Sequence, residues 1–199
     1  MDLLKKKILT EGRVIGTEIL KVDSFLNHQV DPSLMKSIGE EFASVFANEG
    51  ITKVLTIEAS GIAPALFTGL QLGVPVIFAK KTASRNLDPD TYHAAVHSFT
   101  RGGEYIIRVS RRYLDAGDKV LLIDDFLARG RALLGLLEIA EQAGAKVVGA
   151  GVVIEKGFQD GGDLIRSMGV RVESLAIIES MSEEGSKITF ADKKNGHMN

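Results

Sequence analysis

The apolar positions of this chain change rhythm near residue 50. Upstream, Leu34, Ile38, Phe42, Val45 and Phe46 recur at intervals of three or four, the spacing of one helix face. Asp31 followed by Pro32 offers an N-cap and a first-turn proline, so a helix is predicted to begin there and to end at Gly50. Downstream, the apolar residues gather into short, nearly unbroken runs at 54–57, 74–78, 119–123 and 146–154. Helical stretches lie among them, at 61–72 closed by Gly73 and at 131–143 closed by Gly144. Short all-apolar strands alternating with helices predict an α/β domain whose mostly parallel sheet is covered on both faces. Residues 3–9 read as a short helix stopping near Gly12, while residues 14–30 show no clear period.

One stretch interrupts the alternation. Residues 80–117 carry Lys80, Lys81, Arg85, Arg101, Arg108, Arg111 and Arg112. Two strands are predicted within it, at 92–99 and 105–110, paired as a hairpin through Arg101-Gly102-Gly103. So long an insertion between sheet strands is commonly functional or mobile. Residues 192–199 read as a solvated end.

Composition narrows the classes. The 199 residues are 45% hydrophobic, enough for a packed core and against disorder. A formal net charge of −2 gives no global pull toward nucleic acid or an anionic membrane. The absence of cysteine excludes disulfides and thiolate zinc sites. The first residues place a lysine cluster where a signal peptide would be apolar, and no run reaches the roughly 18 apolar residues of a membrane span. A soluble, cytoplasmic protein is the expectation. His93 and His97 stand four apart, but the stretch reads as a strand and lacks a third ligand, so a zinc site is rejected. Glu40-Glu41 reads as the solvated face of the first long helix.

The chemistry concentrates in Val120-Leu121-Leu122-Ile123-Asp124-Asp125-Phe126-Leu127-Ala128-Arg129-Gly130-Arg131-Ala132. An apolar strand runs into two carboxylates, then a small residue, a glycine and the next helix. Ligands of open α/β sheets bind at the carboxyl ends of the strands. Gly130 permits φ > 0 and close backbone approach, and the amides opening the next helix make an anion site. Carboxylates suit sugar hydroxyls and amides suit a phosphate, so a ribose phosphate satisfies both. Neither the Walker spacing nor a dinucleotide fingerprint is present. An acidic pair after a strand also occurs as a plain solvated loop or helix cap. Glu58-Ala59-Ser60-Gly61 forms a second strand-to-helix turn at the same sheet edge, readable equally as an ordinary helix start capped by Ser60.

Residues 120–132 resemble the phosphoribosyl pyrophosphate (PRPP) signature of type I phosphoribosyltransferases. Over most of its length the chain resembles the xanthine phosphoribosyltransferase family. The segments carrying this are Ile19-Leu20-Lys21-Val22-Asp23-Ser24-Phe25-Leu26-Asn27-His28-Gln29, Thr56-Ile57-Glu58-Ala59-Ser60-Gly61-Ile62-Ala63-Pro64, Asp124-Asp125-Phe126-Leu127-Ala128 and Val153-Ile154-Glu155-Lys156-Gly157-Phe158. The signature commonly has Thr-Gly after its small residue, where Arg129-Gly130-Arg131 stands here. If backbone amides hold the phosphate, that departure is tolerated and adds positive charge.

The resemblance implies a type I phosphoribosyltransferase fold with a flexible basic hairpin loop and a small hood from about 1–35 and 155–190, all in one domain. It implies a pentosyltransferase of purine salvage that converts xanthine and PRPP to xanthosine 5'-monophosphate and diphosphate. Asp124 and Asp125 would be the catalytic carboxylates. Ala128, Arg129, Gly130, Arg131, Ala132, Ser60, Gly61 and Lys81 would bind PRPP, and Leu20, Asn27 and Lys156 the base. Lys156 donates to a carbonyl oxygen and cannot accept, which suits an oxopurine over adenine. Phe126 or Phe158 would either pack on the base or belong to the core. Mg2+ would be held mainly by PRPP, without protein side-chain ligands. A homodimer is implied, with the apolar amino-terminal helix as one candidate for its interface. The rival readings are a PRPP-binding regulator that lost the chemistry and a transferase for hypoxanthine/guanine, adenine or orotate. The regulator would need a nucleic-acid surface, and no recognition helix with clustered base-reading residues is evident.

Overall fold

In a computed structural model the described residues are 1–82, 90–98, 103–182 and 187–191. Arg85, Phe99, Arg101, Gly102, His197 and the 192–199 tail lie outside them. Ten strands and five α-helices are seen in this order: α1 (Asp2–Glu11), β1 (Arg13–Ile15), β2 (Ile19–Lys21), α2 (Pro32–Val45), β3 (Lys53–Ile57), α3 (Ile62–Leu72), β4 (Val76–Thr82), β5 (Thr91–Ser98), β6 (Gly103–Ser110), β7 (Lys119–Leu127), α4 (Arg131–Ala143), β8 (Lys146–Lys156), α5 (Gly161–Ser167), β9 (Val172–Ser182) and β10 (Lys187–Phe190).

Eight strands form one sheet in the order β10-β9-β8-β7-β3-β4-β6-β5. The central neighbours β9, β8, β7, β3 and β4 run parallel, while β6, β5 and β10 join antiparallel at the two sides. Parallel strands end at a common edge. The turns at 58–61 and 128–130, together with Lys156 and the end of β4, therefore converge there. One core packs α1, α2 and the β1–β2 hairpin against the sheet through Leu4, Ile8, Leu34, Ile38 and Phe42. The other packs α4 and α5 through Leu133, Leu136, Ile139 and Ile165. The apolar runs of β7 and β8 are buried because both faces are covered.

Local signals explain most element ends. Asp31 caps α2, its Oδ1 accepting from the amides of Ser33 at 3.0 Å and Leu34 at 3.1 Å. The predicted hairpin is β5–β6, in register from Thr91↔Ser110 to Ser98↔Gly103. Its β5 lies over α4, where the Gln142 side chain donates to the His93 carbonyl at 2.6 Å. The strand reading of His93 and His97 holds.

Several expectations need correcting. The helix α2 stops at Val45, not at Gly50; a turn with Asn48 and Gly50 at positive φ follows it. Proline 75 delays β4 to Val76, and pairing with β6 carries it on to Thr82, so Lys80 and Lys81 lie inside the strand. Likewise β7 continues past Ile123 to Leu127, because its pairing with β8 persists to Leu127↔Glu155. The two carboxylates therefore belong to the strand itself. Ser60 does not cap α3: the N-cap is Gly61, without a side-chain bond. Residues 14–30, which show no clear period, hold most of the β1–β2 hairpin and a π-helical turn at Asp23–Asn27.

Candidate active site

The 128–130 turn between β7 and α4 is built around Gly130, which adopts φ 73° and serves as the N-cap of α4 without a side-chain bond. The first turn of α4 contains no acidic residue. A helix start with neither a cap nor a negative charge presents its amides and the positive end of its dipole to an anion. A cavity of about 510 Å³ opens there. Among the predicted residues, Asp124, Ala128, Arg129, Gly130, Arg131, Ala132 and Lys156 line it.

Asp124 and Asp125 answer to different neighbours. Asp124 is buried, 4% exposed, and accepts from the Asp125 amide at 3.0 Å. Burial, and then the charge of Asp125, push its carboxyl well above the usual 3.8, with Lys81 pulling the other way. Asp125 is half-buried, and its Oδ2 accepts from the Asn27 amide at 3.4 Å. Burial raises the Asp125 carboxyl too, and the Asn27 bond opposes the rise. A carboxylate kept out of water with little compensation is costly to the fold. Such groups mark places where substrate hydroxyls or cations complete the environment.

The 58–61 turn reaches the same pair. A Cβ on Gly61 would overlap Thr56 Oγ1 and lie 3.2 Å from Asp124 Oδ1, so glycine keeps the turn against the carboxylate. Thr56 Oγ1 is itself buried without a hydrogen-bond partner among the described residues. The peptide Glu58–Ala59 is cis. Lys81, at the carboxyl end of β4, holds its ammonium 5.0 Å from the Tyr105 ring centroid, and its backbone amide donates to the Glu58 carboxylate. Lys81 also lines a second, larger hollow of about 790 Å³, with Lys80, Arg108 and Arg112.

The residues expected to meet the base are Lys156, Leu20 and Asn27. Lys156 is half-buried, donates to the Glu18 carbonyl at 2.6 Å and lies 5.9 Å from the Phe126 ring centroid. Burial lowers its ammonium below 10.5, partly offset by the Glu18 charge. Phe126 is half-buried and lines the cavity, while Phe158 is 38% exposed, so neither is an enclosed core aromatic. Leu20 is 7% exposed and packs with Val14 in the core, and its neighbours Glu18 and Ile19 line the cavity.

Three polar residues of the cavity wall, Glu18, His97 and Gln159, lie outside the site residues expected from the sequence. Glu18 arrives through the β1–β2 turn and His97 through β5. Gln159 lines the cavity with its Oε1 buried and without a partner among the described residues. Gln159 stands three positions after Lys156, adjoining a family-like segment, which was the available signal; nothing in the pattern marks Glu18 or His97.

Residues 27–182 match the phosphoribosyl transferase domain. The chain belongs to the phosphoribosyltransferase family. It is 62% identical to the xanthine phosphoribosyltransferase of Oceanobacillus iheyensis over 183 residues, 92% of this chain and 94% of the relative. The enzyme of the same name from Ruminiclostridium cellulolyticum is 58% identical over 192 residues, covering 96% and 100%. Among solved structures, adenine phosphoribosyltransferase from Trypanosoma brucei superposes with a TM-score of 0.76 at 18% identity, covering 98% of this chain and 88% of that one. The Giardia lamblia enzyme gives 0.72 at 22%, covering 87% and 96%. These structures establish the type I phosphoribosyltransferase fold.

Proposed function

We propose that the protein transfers the phosphoribosyl group of PRPP to N9 of xanthine, giving xanthosine 5'-monophosphate and diphosphate in purine salvage. The observation carrying this is the single cavity that joins a carboxylate, an uncapped helix start and a half-buried lysine. The 128–132 turn takes the 5-phosphate on its amides, and Arg129 and Arg131 add positive charge. Asp124 and Asp125 hold the ribose hydroxyls and favour the developing oxocarbenium-like sugar by charge. Ser60, Gly61 and Lys81 receive the diphosphate. Lys156 and Asn27 bind the carbonyl and N–H groups of the base, with Leu20 behind them and Phe126 beside the ring. Positioning and electrostatics carry the rate, and no general base is assigned.

Mg2+ fits this donor set as a companion of PRPP. Among the described residues no group of three or more His, Cys, Asp or Glu could hold a metal. The carboxylates present are hard oxygen donors of the kind Mg2+ accepts alongside phosphate oxygens. When bound, Mg2+ neutralises the leaving diphosphate. The described residues of about 1–35 and 155–190 form the hood over the base, an assignment supported by the Lys156–Glu18 bond. The protein works as a cytoplasmic homodimer. No helix among the described residues is long and apolar enough to cross a membrane.

A side-by-side assay with Mg2+, PRPP and xanthine, guanine, hypoxanthine or adenine tests the proposal. Nucleotide should form fastest from xanthine. Faster turnover of another base would reassign the substrate, and PRPP binding without nucleotide from any base would make the protein a regulator.

A further inference from the structure

Beneath the phosphate turn lies a support outside the cavity wall. Glu155, next to Lys156 on β8, is buried at 4% exposure. Its carboxylate is gripped bidentately by Arg166 of α5, at 2.8 and 2.7 Å, and accepts from the Ser174 hydroxyl at 2.5 Å. Two consecutive glycines then face two different neighbours. A Cβ on Gly161 would overlap the Ala128 carbonyl oxygen and the Gly130 amide nitrogen. A Cβ on Gly162 would overlap Glu155 Oε1 and the Arg166 guanidinium. The Gly161 amide donates to the Ala128 carbonyl at 3.0 Å. The start of α5 is thus pressed between the phosphate turn and the ion pair.

We infer that the Glu155–Arg166 pair and the Gly161-Gly162 step are positioning residues for PRPP: they fix the height and register of the 128–130 turn from below. This rests on the assignment of that turn to the 5-phosphate. The pair acts by geometry, since neither side chain lines the cavity. A bidentate Arg–carboxylate contact fixes orientation as well as distance, which suits an abutment. Removing one partner of a buried pair leaves the other uncompensated, so the start of α5 moves and the turn follows. Lys156 hangs on the other side of Glu155, held separately by Glu18. Lys156 and Gly161, at the two ends of the 156–161 segment, therefore serve different substrates.

The test is a split between substrates. Gly161→Ala should raise the PRPP KM at least tenfold, and Arg166→Met at least threefold, with the xanthine KM and kcat within threefold of the parent. Arg166→Lys, which keeps the charge but loses the fork, should fall between Met and the parent. The PRPP-induced rise in melting temperature should shrink in the same order. A folded Gly161→Ala with a PRPP KM within twofold of the parent overturns the inference, as does an equal loss for both substrates. If Gly161→Ala and Arg166→Met fail to fold, Arg166→Lys decides on the same split. A parent that binds PRPP but makes no nucleotide overturns the transferase reading instead, and the melting series still judges the abutment.

Discussion

The side-chain amide of Asn27 donates to Asp125 Oδ2 at 3.4 Å, across 98 positions of chain. A residue of the amino-terminal π-helical turn is thereby tied to the carboxylate pair of the central strand. The same bond favours the charged form of Asp125 against its burial. Asp125→Asn should cut kcat by about 10²–10³, the scale of losing one preorganised transition-state contact. The melting temperature should change little, because an asparagine is nearly isosteric and remains half in contact with solvent. Steady-state assays with both substrates and a thermal melt check this. Unchanged kinetics would remove the proposed role of the carboxylates.

For Asp124 a gain in stability on substitution is expected. Its folded value lies above the ordinary 3.8 because of burial and the neighbouring charge. A carboxyl raised on folding supports the folded state fully below its unfolded value, and that support is lost as pH rises through the folded value. Above the unfolded value the fold therefore carries a cost for burying this carboxyl. Asp124→Asn should melt at a higher temperature than the parent at pH 7, and the difference should shrink as pH falls toward 3.8. It should also be nearly inactive. A variant that melts lower at pH 7 would contradict the electrostatic account of the pair.

Much of this architecture was legible from pattern alone. The run at 131–143 and its terminating Gly144 gave α4 to the residue, and the Asp-Pro pair gave the start of α2. Strand ends were read short wherever polar side chains entered a strand: Asp124 and Asp125 in β7, Lys80 and Lys81 in β4, Glu155 and Lys156 in β8. Hydrophobicity stops there while the backbone ladder continues, since pairing is set by the neighbouring strand. Those polar residues lie at the sheet edge of the candidate site, where a local rule is expected to break. The 14–30 segment was opaque for another reason. Its short hairpin and π-helical turn bury Val14, Leu20, Val22, Phe25 and Leu26 through tertiary contacts, at no single period. The backbone turn at 128–130 follows from Gly130, whose φ of 73° is what the Ala128-Arg129-Gly130 turn requires.

The capping of α2 offers a check on the fold that leaves the cavity alone. Asp31 accepts from two amides at the helix start and meets Lys7 of α1 at 2.8 Å. Asp31→Ala should destabilise the protein by about 1 kcal/mol, the usual loss of an N-cap. Asp31→Asn should recover most of it, because asparagine caps as well and the Lys7 pair, partly open to solvent, is weak. Chemical denaturation of the two variants separates these terms. Equal losses for Ala and Asn would assign the stabilisation to the ion pair.

Lys156 provides the sharpest division between base and sugar-phosphate recognition. Its ammonium is half-buried, reaches the Glu18 carbonyl at 2.6 Å and stands beside Phe126 in the cavity. A lysine donates and never accepts, so it rewards a purine carbonyl and penalises an amino group at the same position. Lys156→Ala should raise the xanthine KM by roughly tenfold or more, in line with about 1.5–3 kcal/mol for a hydrogen bond from a charged group. The PRPP KM should stay within about twofold, since the 128–130 turn abuts Gly161 and not Lys156. Adenine should gain relative to xanthine in the variant, although its absolute rate stays low. Lys156→Gln keeps a donor and supplies an acceptor, so it should bring the two bases closer in kcat/KM than Ala does. Competition assays with mixed bases read this ratio directly. A ratio unmoved by either substitution would place base selection elsewhere in the cavity, with Gln159 and its unpartnered carbonyl oxygen the next residue to change.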